Sequence, residues 1–300
     1  MSTQRLRFAI ILLTRKCLFQ CAHCDVFSSP RSSDTFTPIQ IRKLLQRLRN
    51  TGITDIIISG GEPFLYFPLL RYALNECRNN GFRTTVWTSG YWLSSRENLE
   101  INLKILAESG LNQLLISSDQ LHLNEKILSS SDWLKSECAG FNISLGFSSH
   151  SWPETGVKYT LKNGALPIGG VAFIRGRGAQ TTEAEGNIGI LKYSINDLAQ
   201  CPHQNLLEPE YLYFDFQGNI MPCPGISYGN IFKGNLQKTL SNEKLKENPF
   251  IRHILTKGFI IDDNNSTLEK YADHCHACFK LRTHLRKAFP AIFPEYYYKD

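Results

Sequence analysis

The sequence contains no long hydrophobic run. Its N-terminal apolar stretch, residues 8–13, falls far short of the ~20 residues a membrane helix needs, and no small-residue cleavage site of a signal peptide follows it. A membrane location is therefore not expected, and a cytoplasmic protein is. No biased tract suggests disorder: 42% of the residues are apolar and 20% charged, as in ordinary soluble proteins. No internal repeat is visible. The net charge of +6 is spread along the chain rather than packed in one block, which argues against nucleic-acid binding while leaving an acidic substrate open. A chain of 300 residues fits one large domain, or one large and one small.

Cysteine, by contrast, is plentiful, with nine residues. A cytosol keeps thiols reduced, so grouped cysteines there point to metal or redox chemistry before disulfides. Cys17, Cys21 and Cys24 form one tight group and Cys275 with Cys278 another. Cys201 and Cys223 lie between these groups, and Cys77 and Cys138 stand alone.

Up to about residue 175, short apolar runs alternate with helical patterns. Strands are predicted at 8–13, 55–59, 84–88, 113–117, 143–147 and 171–174. Several are Ile- and Val-rich, as strands buried on both faces are. A helix is predicted from Pro38, capped by Thr37 and ending near Gly52. Others run over 67–80, stopping at Gly81, and 95–109, stopping at Gly110. Serial strand–crossover units imply a parallel sheet, either doubly wound or part of a barrel. A glycine-rich polar stretch then marks the exit from a first domain, 1–180, into a second, 181–300. There the Gln217-Gly218-Asn219 turn between apolar runs predicts a hairpin, and a basic helix is predicted around 279–289.

Cys17-x3-Cys21-x2-Cys24 directly follows the first strand. Three thiolates so spaced can bind three irons of a cubane and leave the fourth open; a zinc site would add a fourth ligand, for which His23 is the local candidate. Gly60-Gly61-Glu62-Pro63 follows the second strand, where glycines let backbone approach a ligand closely. Thr88-Ser89-Gly90 ends the third strand, and Ser117 and Asp119 end the fourth. Arg175 and Arg177 are expected at the end of the sixth, as a carboxylate-binding pair or as solvated loop charges. His122 lies just past the fourth strand, at the face where barrel active sites form. It is a candidate for contacting substrate or moving a proton, against a capping or surface role. Cys201, Cys223, Cys275 and Cys278 are enough thiolates for either a zinc site or an iron–sulfur cluster. Cys77 and Cys138, within helical patterns, read as packing residues, with a thiol hydrogen donor as the sharper alternative.

In order and placement, the first cysteine group and the Gly60–Pro63 segment resemble the signatures of the radical S-adenosylmethionine (SAM) superfamily. The resemblance implies a partial (β/α)6 barrel with a 4Fe–4S cluster on Cys17, Cys21 and Cys24, SAM chelated to the open iron, and a flavodoxin- or ferredoxin-type reductant. Gly60, Gly61, Glu62 and Pro63 would hold the methionine amino group, and Ser89, Ser117, Asp119 and Arg175 would contact the cofactor. Asp119, Arg175 and His122 are the candidate catalytic residues. His23 stands where relatives usually carry an aromatic residue, and its imidazole can still stack on adenine.

The C-terminal cysteines resemble the twitch domain, a shortened SPASM domain, which implies a small α+β unit with one auxiliary 4Fe–4S cluster. Enzymes so built modify ribosomally made peptides or act on small molecules such as aminocyclitols and sugars. The basic balance and the aromatic C-terminus (Phe289, Phe293, Tyr296 to Tyr298) favour the first. The chain begins almost at its first strand, so a precursor peptide is expected to need a separate leader-recognition protein.

Overall fold

The computed structural model describes residues 6–93, 96–118, 131–151, 167–171, 173–184, 191, 193–198, 200–261 and 270–299. Strands β1 (Phe8–Leu12), β2 (Asp55–Ser59), β3 (Arg83–Thr88), β4 (Gln113–Ser117), β5 (Ser144–Ser151) and β6 (Pro167–Val171) pair in parallel and in chain order. A doubly wound sheet would reverse its order partway; this one never does. Periodicity alone leaves a barrel and a doubly wound sheet open, and the strand order agrees with the partial barrel that the resemblance implies.

Helices α1 (Pro38–Leu48), α2 (Phe67–Asn79), α3 (Arg96–Ser109) and α4 (Ser131–Gly140) follow β1 to β4 in turn. α1 opens with the expected cap: Gln40 N–H donates to Thr37 Oγ1 at 3.3 Å, and Thr37 N–H donates back to Gln40 Oε1 at 2.8 Å. It buries Ile41, Leu44, Leu45 and Leu48, the i, i+3, i+4, i+7 stripe of a helix on a sheet. It stops at Leu48, before the glycine expected to end it, because Asn50 already takes a left-handed φ of 60°. Gly81 and Gly110 do end α2 and α3, with φ of 78° and 101°. β1 alternates: Ala9, Ile11 and Leu13 enter the core under the helices, while Ile10 and Leu12 face the opposite side.

β6 lies upstream of the predicted strand and ends at Val171. Arg175 and Arg177 therefore lie beyond it, and Arg177 begins α5 (Arg177–Ala184). Past β7 (Tyr193–Ser194), the predicted hairpin forms from β8 (Tyr211–Asp215) and β9 (Asn219–Met221), with β10 (Gly229–Asn230) beyond it. β8 pairs in parallel with β1, so one nine-stranded sheet runs β10-β9-β8-β1-β2-β3-β4-β5-β6. Short helices α6 (Leu236–Thr239) and α7 (Asn242–Glu247) lead to α8 (Pro249–Lys257). β11 (Lys270–Tyr271) pairs with β7, and α9 (His274–Leu285) starts and ends earlier than its basic stretch suggested.

The aromatic C-terminus is a latch rather than a free surface. Phe293, Tyr297 and Tyr298 are buried, and the Asp215 carboxylate accepts hydrogen bonds from Tyr296 Oη–H at 2.7 Å and Tyr297 Oη–H at 3.1 Å. Asn219 Nδ2–H donates to the same oxygen at 3.0 Å. These aromatics therefore lend no support to a peptide substrate. Among the described residues no helix is long and apolar enough to cross a membrane.

Candidate active site and auxiliary cysteine site

The loop after β1 is held open by backbone contacts. Gly61 N–H donates to Thr14 O at 2.6 Å and Glu62 N–H to Lys16 O at 2.8 Å, while Cys17 N–H donates to Ser29 O at 3.1 Å. A Cβ on Gly60 would stand 2.4 Å from Thr14 O, and one on Gly61 2.2 Å from Lys16 O. Both are deep overlaps with backbone, so only glycine lets the end of β2 nest against the segment leading into Cys17. Gly61→Ala is expected to push that segment away and disrupt the first cysteine site while sparing the second. With a 4Fe–4S cluster in each site, iron analysis of the reconstituted variant should show about half the wild-type content.

Arg177 clasps the same loop from the other side. Its backbone N–H donates to Cys24 O, Nη1–H to Cys21 O and Nη2–H to Ser28 O, each at 2.9 Å. Gly176, with φ of 60°, lies so close that a Cβ would come within 2.6 Å of Asp25 Cα. Arg177 thus has a structural anchoring role, neither of the two the sequence offered.

Cys17, Cys21 and Cys24 line one cavity of about 250 Å³, together with His23, Gly60, Gly61, Ser89 and Ser117. These come from the loop after β1 and from the C-terminal ends of β2, β3 and β4, the face where barrel enzymes place their chemistry. Glu62 sits behind this wall. Its buried carboxylate accepts from Thr88 Oγ1–H at 2.8 Å, Ser89 N–H at 2.8 Å, Ser89 Oγ–H at 2.6 Å and Phe64 N–H at 3.1 Å, and burial pushes its carboxyl up. It ties the ends of β2 and β3 together, and the adjoining Pro63, itself buried with Phe64, opens the turn Pro63–Tyr66. Asp119 and His122 lie outside the described residues.

The cavity also exposes residues that sequence reasoning missed. Tyr213 of β8 is register-paired with Ile10, so it faces inward as Ile10 does. Trp87 of β3 donates through Nε1–H to Ser117 Oγ at 3.2 Å. Ser28 Oγ is buried with no hydrogen-bond partner among the described residues. The inward phase of β1 could have found Tyr213; nothing local marks Ser28.

The donor set fits an iron–sulfur cluster. Phe19 N–H donates to Cys17 Sγ at 3.4 Å and Ser28 N–H to Cys24 Sγ at 3.3 Å, the kind of hydrogen bond that tunes cluster sulfurs. Burial pushes the Cys17 thiol up to about 11 and the Cys24 thiol up as well. Such thiols become thiolates when a cationic group binds and displaces their protons. Among the described residues no three His, Cys, Asp or Glu side chains converge as a single ion requires. A cubane makes no such demand, because each thiolate binds its own iron.

Cys201, Cys223, Cys275 and Cys278 line a second, smaller cavity. Cys275 and Cys278 stand in the first turn and a half of α9, whose N-cap Asp273 accepts from His276 N–H at 2.7 Å and from Ile174 N–H at 3.1 Å. The helix N-terminus favours thiolate there, whereas burial pushes the Cys278 thiol up to about 12 and Cys275 up too. Arg282, also buried, bonds Pro224 O at 2.9 Å. Cys223 sits in a tight turn closed by Ile226 N–H to Cys223 O at 3.1 Å. Cys77 of α2 and Cys138 of α4 are fully buried in the core under the helices, away from both cavities, as packing residues are.

Residues 11–126 match the Radical SAM superfamily model. The fold agrees. The chain superposes on the structure of native anSMEcpe with bound AdoMet and Cp18Cys peptide at a TM-score of 0.53. That match has 14% identity and covers 96% of this chain and 98% of that one. It also superposes on BtrN in complex with AdoMet and 2-DOIA at 0.52, with 13% identity, covering 83% and 87%. In sequence, 89 residues are 33% identical to the antilisterial bacteriocin subtilosin biosynthesis protein AlbA of Bacillus subtilis (strain 168), spanning 30% of this chain and 19% of AlbA. The matched segment spans about a third or less of the length of such curated relatives. The match to the Radical SAM superfamily covers residues 11–126, which hold Cys17, Cys21, Cys24 and the Gly60–Pro63 segment, and the fold of the chain is that of the superposed structures.

Proposed function

We propose that this protein reductively cleaves SAM in the cavity of Cys17, Cys21 and Cys24 and uses the resulting radical to modify a ribosomally made precursor peptide. The observation carrying this reading is the convergence of those thiols with Gly60, Gly61, His23 and Ser117 at the strand ends of a partial barrel. When bound, a 4Fe–4S cluster and SAM supply an electron and a 5′-deoxyadenosyl radical that abstracts a substrate hydrogen atom. The chain's own work is positioning and exclusion of water. Gly60 and Gly61 would present backbone to the methionine end, and His23 and Trp87, which line the same cavity, would pack on the adenine.

A second cluster, on Cys201, Cys223, Cys275 and Cys278, would sit in the C-terminal unit 181–300. A flavodoxin- or ferredoxin-type protein would deliver electrons. A separate recognition protein would present the peptide, whose modification would be a crosslink, an epimerisation or a backbone excision.

A cavity of about 830 Å³ adjoins the four-cysteine site and shares Cys201 and His203 with it. Its size is that of a small-molecule pocket and it shares no residue with the cavity of Cys17, Cys21 and Cys24, so the preference for a peptide rests on the relatives. AlbA is described as a bacteriocin biosynthesis protein, and anSMEcpe was solved with a peptide. The competing reading, an aminocyclitol or sugar dehydrogenase or epimerase, has BtrN with 2-DOIA beside it.

The test is anaerobic incubation with dithionite and SAM. 5′-Deoxyadenosine is expected, its yield raised by a short peptide encoded beside the gene, and that peptide should change in mass. Stimulation by aminocyclitols or sugars alone would select the competing reading, and no 5′-deoxyadenosine under any condition would refute both.

A further inference from the structure

Arg175 lines both cysteine cavities. Its guanidinium is divided between them. Nε–H and Nη2–H donate to Asp25 Oδ2 at 3.1 and 2.6 Å, and Nη1–H donates to Cys223 Sγ at 3.0 Å. The side chain is 12% exposed, with Phe173 packed on the cation at 5.1 Å from the ring centroid. Asp25 directly follows Cys24, so one planar cation joins the first cysteine loop to the second site.

Arginine suits this place for a geometric reason. Only a planar fork can pair with a carboxylate on one edge while aiming a further N–H at a sulfur on the other. A lysine ammonium is a single point and cannot hold both partners in this arrangement. Burial adds weight, since a charge-assisted bond to sulfur is felt more strongly out of water.

We propose that Arg175 is a positioning residue of the auxiliary site that raises the reduction potential of the cluster held there. This rests on the reading that Cys201, Cys223, Cys275 and Cys278 hold a 4Fe–4S cluster. Reduction adds negative charge to the cluster and its thiolates. A cation 3.0 Å from Cys223 Sγ stabilises the reduced form more than the oxidised one, so the potential rises. The Asp25 pair fixes the guanidinium in register with that sulfur, and thereby with the Cys24 loop.

The experiment isolates the auxiliary cluster by replacing Cys17, Cys21 and Cys24 with alanine. Its midpoint potential is then followed by paramagnetic resonance during a redox titration, with and without Arg175→Gln or Arg175→Lys. Arg175→Gln should make reduction at least about tenfold less favourable, a drop of 59 mV for one electron. Arg175→Lys, keeping the charge without the fork, should fall in the same direction by less. Should Arg175→Gln not retain iron, Arg175→Lys decides alone. Potentials unchanged at full iron content would overturn the proposal and leave the cluster reading standing. A parent protein holding zinc in place of iron would overturn that reading, and the proposal with it.

Discussion

Replacing any one of Cys17, Cys21 or Cys24 with alanine is expected to abolish SAM cleavage, by at least about 10³-fold, some 4 kcal/mol of barrier. Three thiolates on three irons leave one iron open, and that open position is what SAM requires. A missing thiolate leaves the cluster with only two protein ligands. Arg177 and Ser29 hold that loop only through its backbone, so no neighbouring group replaces a lost sulfur. The measurement is 5′-deoxyadenosine formed per minute by each variant under dithionite. Wild-type cleavage in any one of them would remove the site assignment.

The second large effect is expected from the double variant Cys275→Ala/Cys278→Ala. SAM cleavage should persist within about tenfold of wild type, because the first cavity shares no cysteine with the second. Product formation should vanish, and the C-terminal part should become sensitive to proteolysis. Both cysteines stand at the start of α9, whose cap Asp273 reaches Ile174 beyond β6. A cluster there would fasten the helix to Cys201 and Cys223, and the double variant would lose that crosslink. Quantifying 5′-deoxyadenosine and modified substrate on the same samples separates the two activities. Equal loss of both would mean that the second site serves the first rather than the substrate.

The site was more legible in the sequence than the fold around it. Cysteine spacing is a local property, and thiolates have few other uses in a reducing compartment, so Cys17, Cys21 and Cys24 could be read as one group. The glycine pair was legible because only glycine tolerates 2.2–2.4 Å overlaps with carbonyl oxygens. The bond from Arg175 to Cys223 was not legible, since it joins residues 48 apart with no periodic signal. β6 was placed too late because Gly169 and Gly170 dilute the apolar run that marks a strand. The hairpin of β8 and β9 could be read from its turn, but its parallel pairing with β1 could not: register across more than 200 residues is set by packing. The C-terminal aromatics counted toward a peptide substrate, but Phe293, Tyr297 and Tyr298 proved to be core. This was not legible because the partner Asp215 lies 81 residues upstream of Tyr296.

The most direct test of two clusters in one chain is metal and sulfide content after anaerobic reconstitution, wild type beside the Cys17/Cys21/Cys24 triple alanine variant. About eight irons with matching sulfide in the wild type, and about four in the variant, are predicted. About four irons and one zinc in the wild type, with only zinc left in the variant, would contradict the account by making the second site a structural staple.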